Sequence, residues 1–341
     1  MIARMLGIRI FDVEVSSRCN LRCRFCPRDE LPETGLMSDE TFDRFLEQVP
    51  LRRTDNLAFV GMGEPTLNPR LADFIRRAKA RYPKVITWVT SNGTRLTADV
   101  VRPLLDAGLD ILDVSANGTD AESYESVMRG ACFEQTLANL ESSRAEIERR
   151  GNRTRLQINF VVTADSQSRV KETQAFWRAR GIERFRLQRM HNRGGMVAVE
   201  GMRDVEPGGL RGQGCSLFET MSFISWKGEV FYCSHDIRRQ HPIGNICAEP
   251  WAGIRQRKRA IQRTCRWPEM CGACTDPLRH DLGAQIGREI AAELRGAVAK
   301  VMKTALGRPR VARVRPRAEA GRVDGMPQEA RLNGEACGGG A

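Results

Sequence analysis

A chain of 341 residues with 41% hydrophobic and 28% charged side chains is long enough to bury a substantial core. No uninterrupted apolar run approaches the roughly 20 residues a membrane-spanning helix needs. The net charge of +12 invites a nucleic-acid reading, but residues 285–317 alone hold nine basic side chains against Glu289 and Glu293. Such a tail reads as a solvated segment, and no nucleic-acid partner is expected.

The first sixteen residues mix Arg4, Arg9, Asp12 and Glu14 into an apolar stretch. They lack the hydrophobic centre of a secretory signal, so the expected compartment is cytoplasmic. Eleven cysteines in a reducing compartment read as metal ligands or reactive thiols rather than disulfides.

From residue 8 to 188, short apolar runs alternate with longer amphipathic stretches. The runs 8–15, 57–61, 85–91, 111–116, 156–163 and 185–188 read as strands. The stretches 39–49, 69–82, 98–107, 121–150 and 169–180 read as helices, the fourth with a possible break at Gly130. Strands separated by helices imply parallel βαβ units with right-handed crossovers. The expected fold class is therefore α/β, a partial (β/α)6 TIM-like barrel followed by a small cysteine-rich α+β module. Residues 1–193 form the barrel in this reading, and a linker with seven glycines covers 194–214. The cysteine-rich module spans 215–276, an amphipathic helix 277–306 and a disordered basic tail 307–341.

In such a barrel, chemistry gathers at the C-terminal strand ends. After the first strand comes Cys19-Asn-Leu-Arg-Cys23-Arg-Phe-Cys26. Three thiolates within eight residues can hold three irons of a [4Fe-4S] cube and leave the fourth iron open. A structural zinc would need a fourth ligand, and the closest histidine in sequence is His191.

This CxxxCxxC loop, with an aromatic before its last cysteine, resembles the cluster motif of the radical S-adenosylmethionine (SAM) superfamily. The resemblance implies that the open iron chelates SAM and that Phe25 lies against the adenine. It further implies that reductive cleavage of SAM yields a 5′-deoxyadenosyl radical, the electron coming from a reductant such as flavodoxin or ferredoxin. Gly61-Met62-Gly63-Glu64-Pro65 is similar to the family's GGEP segment, which would place Gly61, Gly63 and Glu64 at the methionine ammonium. The strand-end segments holding Asn92, Ser115 and Asn117 resemble those that meet the sulfonium region and ribose, although Asn-Gly pairs are also ordinary turn chemistry.

A second constellation follows. Cys215-x12-Gly228-x4-Cys233 and then Cys271-Gly-Ala-Cys274 are similar to the SPASM/twitch extension of the same superfamily, with 222–232 reading as a β-hairpin turning at Lys227-Gly228. The resemblance implies one auxiliary [4Fe-4S] cluster on Cys215, Cys233, Cys271 and Cys274; a zinc ion on the same thiols is the alternative, and Cys265 could replace one ligand. Four protein thiolates leave no open iron, which favours an electron-accepting role and hence dehydrogenation; the resemblance to superfamily members with a single auxiliary site implies a small polar metabolite, a sugar or aminocyclitol, as the substrate. Epimerisation, decarboxylation and peptide modification begin from the same hydrogen abstraction, and an iron-sulfur or zinc sensor or RNA-binding protein is the non-enzymatic alternative. By position, His191, His235 and Asp236 are the candidates for a general base.

Overall fold

Residues 9–151, 153–198 and 214–279 are described in this computed structural model. The proposed helix over 277–306 and the basic tail lie, but for the first three residues, outside the described residues, as does most of the glycine-rich linker.

Nine strands form one sheet in the order β6-β5-β4-β3-β2-β1-β7-β8-β9. The first six are β1 (Ile10–Val13), β2 (Asn56–Phe59), β3 (Ile86–Ser91), β4 (Ile111–Ser115), β5 (Arg155–Val162) and β6 (Phe185–Arg189). Neighbours among them pair in parallel. The intervening helices are α1 (Asp39–Gln48), α2 (Leu71–Arg81), α3 (Ala98–Asp106), α4 (Ala121–Glu125), α5 (Phe133–Arg149) and α6 (Val170–Ala179). The expected break near Gly130 is real: α4 ends before it and α5 starts after it, and Gly130 has φ +92°, a conformation glycine adopts without a Cβ penalty.

The cysteine-rich region holds α7 (Ser216–Thr220), β7 (Met221–Ile224), β8 (Glu229–Phe231), β9 (Pro242–Asn245), α8 (Trp251–Thr264) and α9 (Glu269–Ala273). The hairpin of β7 and β8 forms as the sequence suggests, with Gly228 in its turn at φ +81°. Its place in the sheet was not legible. β7 pairs in parallel with β1, Phe11 opposite Ser222 and Val13 opposite Ile224, so this region continues the barrel sheet past its first strand.

Alternation along the strands sorts the side chains. Phe11, Val13, Leu57, Phe59, Val89 and Leu112 are buried in the main core. Phe11 meets Phe45 of α1 at 6.2 Å, and Phe42 of α1 stacks on Phe74 of α2 at 4.3 Å. A fully buried aromatic contributes on the order of 1.5–3 kcal/mol, so this outer layer anchors the helices. The strand ends are thereby held in fixed positions with their loops free to differ.

Candidate functional site

The three-cysteine loop leaves the end of β1 and is clamped on several sides. Arg22 N–H donates to Arg129 C=O and Arg24 N–H to Val127 C=O, each at 2.9 Å. The Arg28 guanidinium donates to the carbonyls of Cys19 and Leu21, both at 2.8 Å. Cys19, Cys23 and Cys26 line one cavity of 640 Å³ together with Asn20, Arg28 and Gly130. Burial, then the neighbouring Cys26 and Cys19, pushes the Cys23 thiol up to about 12; burial likewise raises Cys19 and Cys26. Phe25 sits half-buried on this loop.

Gly63 lets the second strand end approach that loop. A Cβ there would lie 2.3 Å from Ser16 C=O and 2.4 Å from Arg18 C=O, and the close packing allows Glu64 N–H to donate to Arg18 C=O at 2.8 Å. Gly61 is equally constrained, a Cβ falling 2.4 Å from the Glu14 side chain. Glu64 is buried. One carboxylate oxygen accepts from Thr66 N–H, Thr66 Oγ1 and Ser91 Oγ, and the other from Asn92 N–H at 2.7 Å. Burial raises its pKa and these donors work against the rise. Glu64 thus joins the ends of β2 and β3.

Asn92 reaches the cysteine loop directly, its Nδ2 donating to Asn20 Oδ1 at 2.9 Å and lying 3.9 Å from Cys19 Sγ. Asn117 accepts from Val161 N–H at 2.7 Å, and its Nδ2 lies 3.2 Å from Met128 Sδ, which is 3.7 Å from Cys23 Sγ. Ser115 is half-buried at the end of β4, opposite Asn159 of β5. All four strand ends named by the sequence therefore surround one loop.

The second set comes from separate segments. Cys215 precedes α7, Cys233 follows β8, Cys271 lies in α9 and Cys274 ends it. All four line a void of 20 Å³ with Gly194 and His235. Burial raises each of these thiols, Cys233 well above its ordinary value and Cys271 to about 12. The Arg279 guanidinium donates to the carbonyls of Cys271 and Cys274 and holds that loop. Cys265 is not among the void's lining residues.

Between the two sets runs the loop after β6. Asn192 Nδ2 donates to Ala273 C=O at 2.7 Å, and Asn192 exchanges bonds with Thr275 at 3.0 Å. The next residue, Arg193, lowers the pKa of Cys26 on one side and of Asp276 on the other. His191 Nε2 and His235 Nε2 approach the same oxygen of Asp276 at 3.5 and 3.3 Å. Burial, then the Arg193 charge, brings His191 down to about 3; burial, then His191 and Arg193, holds His235 well below its usual range. Both imidazoles are therefore neutral at pH 7, while burial raises Asp276. Asp236 is placed differently: its two oxygens accept from Gln240 N–H at 3.0 Å and His241 N–H at 2.8 Å, bonds within its own loop.

Asp276 was missed in the sequence, although its position two residues after the last CxxC cysteine was an available signal. Also missed were Asp12 and Asp113 on the sheet's inner face, where alternation with Phe11, Val13, Leu112 and Val114 was the clue.

Residues 13–156 match the radical SAM superfamily. Over 177 residues the chain is 26% identical to the tungsten-containing aldehyde ferredoxin oxidoreductase cofactor-modifying protein of Pyrococcus furiosus, covering 50% of this chain and 48% of that one. Over 133 residues it is 34% identical to a GTP 3′,8-cyclase of Lactiplantibacillus plantarum, covering 37% and 38%. The chain spans less than half the length of these curated relatives. Among solved structures, native anSMEcpe with bound AdoMet superimposes with a TM-score of 0.57 at 16% identity, covering 87% of this chain and 100% of that one. BtrN in complex with AdoMet and 2-DOIA gives 0.55 at 17%, covering 79% and 94%. These likenesses establish the fold.

Proposed function

Since the chain carries a radical SAM superfamily domain over residues 13–156, we propose that it is an enzyme that cleaves SAM and dehydrogenates a small polar metabolite, a sugar or aminocyclitol. Cys19, Cys23 and Cys26 would hold a [4Fe-4S] cluster with one open iron, and Cys215, Cys233, Cys271 and Cys274 a saturated auxiliary cluster. When bound, these groups supply a 5′-deoxyadenosyl radical that removes a hydrogen atom and an acceptor for the electron left behind.

The observation that carries the reading is the contrast in ligand number. Three thiols of one loop line a cavity of 640 Å³ with no fourth cysteine among its lining residues, whereas four thiols from separate segments converge at the second site. The chain's own residues do the positioning. Arg28 fixes the cysteine loop through its carbonyls, and the buried Glu64 ties the ends of β2 and β3 through Thr66, Ser91 and Asn92, while Asn92, Ser115 and Asn117 would meet the polar groups of SAM. A dehydrogenation also releases a proton. His191, His235 and Asp276 would take it, both imidazoles lying within 3.5 Å of one Asp276 oxygen. A flavodoxin or ferredoxin would supply the reducing electron.

Anaerobic reconstitution with iron, sulfide, SAM and dithionite tests the reading. The intact chain should form 5′-deoxyadenosine and the Cys19→Ala, Cys23→Ala, Cys26→Ala triple variant none. Retained cleavage in the triple variant, or none in the intact chain, would overturn it.

A further inference from the structure

A lysine is almost never fully buried unless an anion accompanies it, because an unpaired charge gives up its hydration and gains nothing in return. Lys258 breaks that rule. It shares the buried face of α8 with Trp251 and Ile254 and is 8% exposed. Its ammonium donates to Met221 C=O and, at 3.0 Å, to Ser222 Oγ, both at the start of β7, and it lies 4.9 Å from the centroid of the Phe218 ring. All three partners are neutral. Among the described residues no carboxylate pairs with it.

These partners lie on the chain between Cys215 and Cys233. Phe218 belongs to α7, which starts directly after Cys215, and its neighbour Leu217 lines the void shared by the four cysteines. The strand β7 pairs with β8, whose Phe231 stands two residues before Cys233. Burial brings Lys258 down to about 7, and the acidic groups that work against the fall are the Cys233 and Cys215 thiols. While those thiols keep their protons, the form burial favours, this cation has no counter-charge among the described residues. Four thiolates around an iron-sulfur core or a zinc ion are together a net anion and would supply one.

We propose that Lys258 is the fixed counter-charge of the second cysteine site and makes the auxiliary cluster easier to reduce. The proposal rests on the auxiliary-cluster reading above and deepens it. The electron concerned is the one a substrate radical gives up as it loses its proton. Reduction adds negative charge to the cluster, so a buried cation beside it favours the reduced state.

The test uses the full chain carrying Cys19→Ala, Cys23→Ala and Cys26→Ala, so that iron and sulfide reconstitute the second site alone, and follows reduction by EPR at controlled potential. Adding Lys258→Met should shift the reduction equilibrium about tenfold or more toward the oxidised cluster, about 59 mV or more downward for one electron. Lys258→Gln, which keeps a donor and removes the charge, should do the same. Lys258→Arg should stay near the parent value. A lysine with a merely structural role would leave the potential in place, and an unchanged or raised potential in the neutral variants would overturn the proposal. Should Lys258→Met fail to fold, Lys258→Gln decides.

Melting gives a second readout. Before metal loading the neutral variants should have a higher Tm than the parent, because a buried unpaired cation is gone; after loading that gain should disappear or reverse. An equal gain in both states would overturn the proposal. Iron and zinc content separates the two readings. A cluster whose potential ignores Lys258 removes the counter-charge and leaves the auxiliary cluster. Zinc in place of iron removes the cluster, and the Tm comparison on zinc loading then decides the counter-charge.

Discussion

The two cysteine sites are built on opposite plans. Cys19, Cys23 and Cys26 share one loop of eight residues, whereas Cys215, Cys233, Cys271 and Cys274 arrive from a helix start, a strand exit and a short helix. The local site keeps a wide cavity, since a loop held by Arg28 and by residues 127–129 bends around space without filling it. The assembled site closes on itself, because each segment brings its own packing, Leu217 from α7 and Met270 from α9 among the lining residues. Openness suits a site that must admit a reactant. Closure suits one that only exchanges electrons.

Removing each set in turn is the strongest way to break this comparison. The intact chain should bind roughly eight irons, two four-iron cubes. Cys271→Ala with Cys274→Ala should halve the iron and leave SAM cleavage, while the yield of oxidised product per deoxyadenosine collapses. Iron counting and product mass check this; four irons plus one zinc, or product of unchanged mass, would remove the proposed acceptor.

The two regions are joined by a buried ion pair. Glu14, just past β1, accepts from Arg239 Nη2 at 2.8 and 2.7 Å, and Glu14 also accepts from Met62 N–H at 2.9 Å. Arg239 covers the Phe223 and Phe231 rings at 4.7 and 5.0 Å and has φ +54°. Replacing Arg239 by Leu should cost about 3–5 kcal/mol, because it strands a buried carboxylate. Adding Glu14→Met should recover most of the loss in urea unfolding.

Gly63→Ala acts on the local site alone. Its Cβ would meet two backbone carbonyls of the cysteine loop, so a loss of about 1–3 kcal/mol is expected. Iron should fall at the first site while the second stays filled.

A pH-dependent effect concerns the inner face, which belongs to neither cysteine set. Burial raises Asp12 from 3.8 to about 7, so between those values the folded chain holds a proton that the unfolded chain releases. Its contribution to stability is complete below about pH 4 and declines as pH rises toward 7. Asp12→Asn should remove that decline, gaining on the wild type by at most about 1.4 kcal/mol per pH unit across the window. Tm measured at pH 5 and pH 8 checks the sign.

Much of the barrel was legible in the chain itself. Five helices and six strands were expected over residues 8–188, and their limits shift by only a residue or two at most ends, because alternating and helical apolar spacing are local signals. The three-cysteine loop was legible for the same reason, its ligands lying within one turn of chain. Tertiary structure alone decided that β7 joins β1, with Asp12 opposite Phe223 across more than 200 residues. It likewise decided that Glu14 meets Arg239, that Asp276 lies between His191 and His235, and that Asp236 serves its own loop. Spacing carries no information about such pairings. They depend on which faces the packed helices bury and on which polar groups remain for one another once water has left.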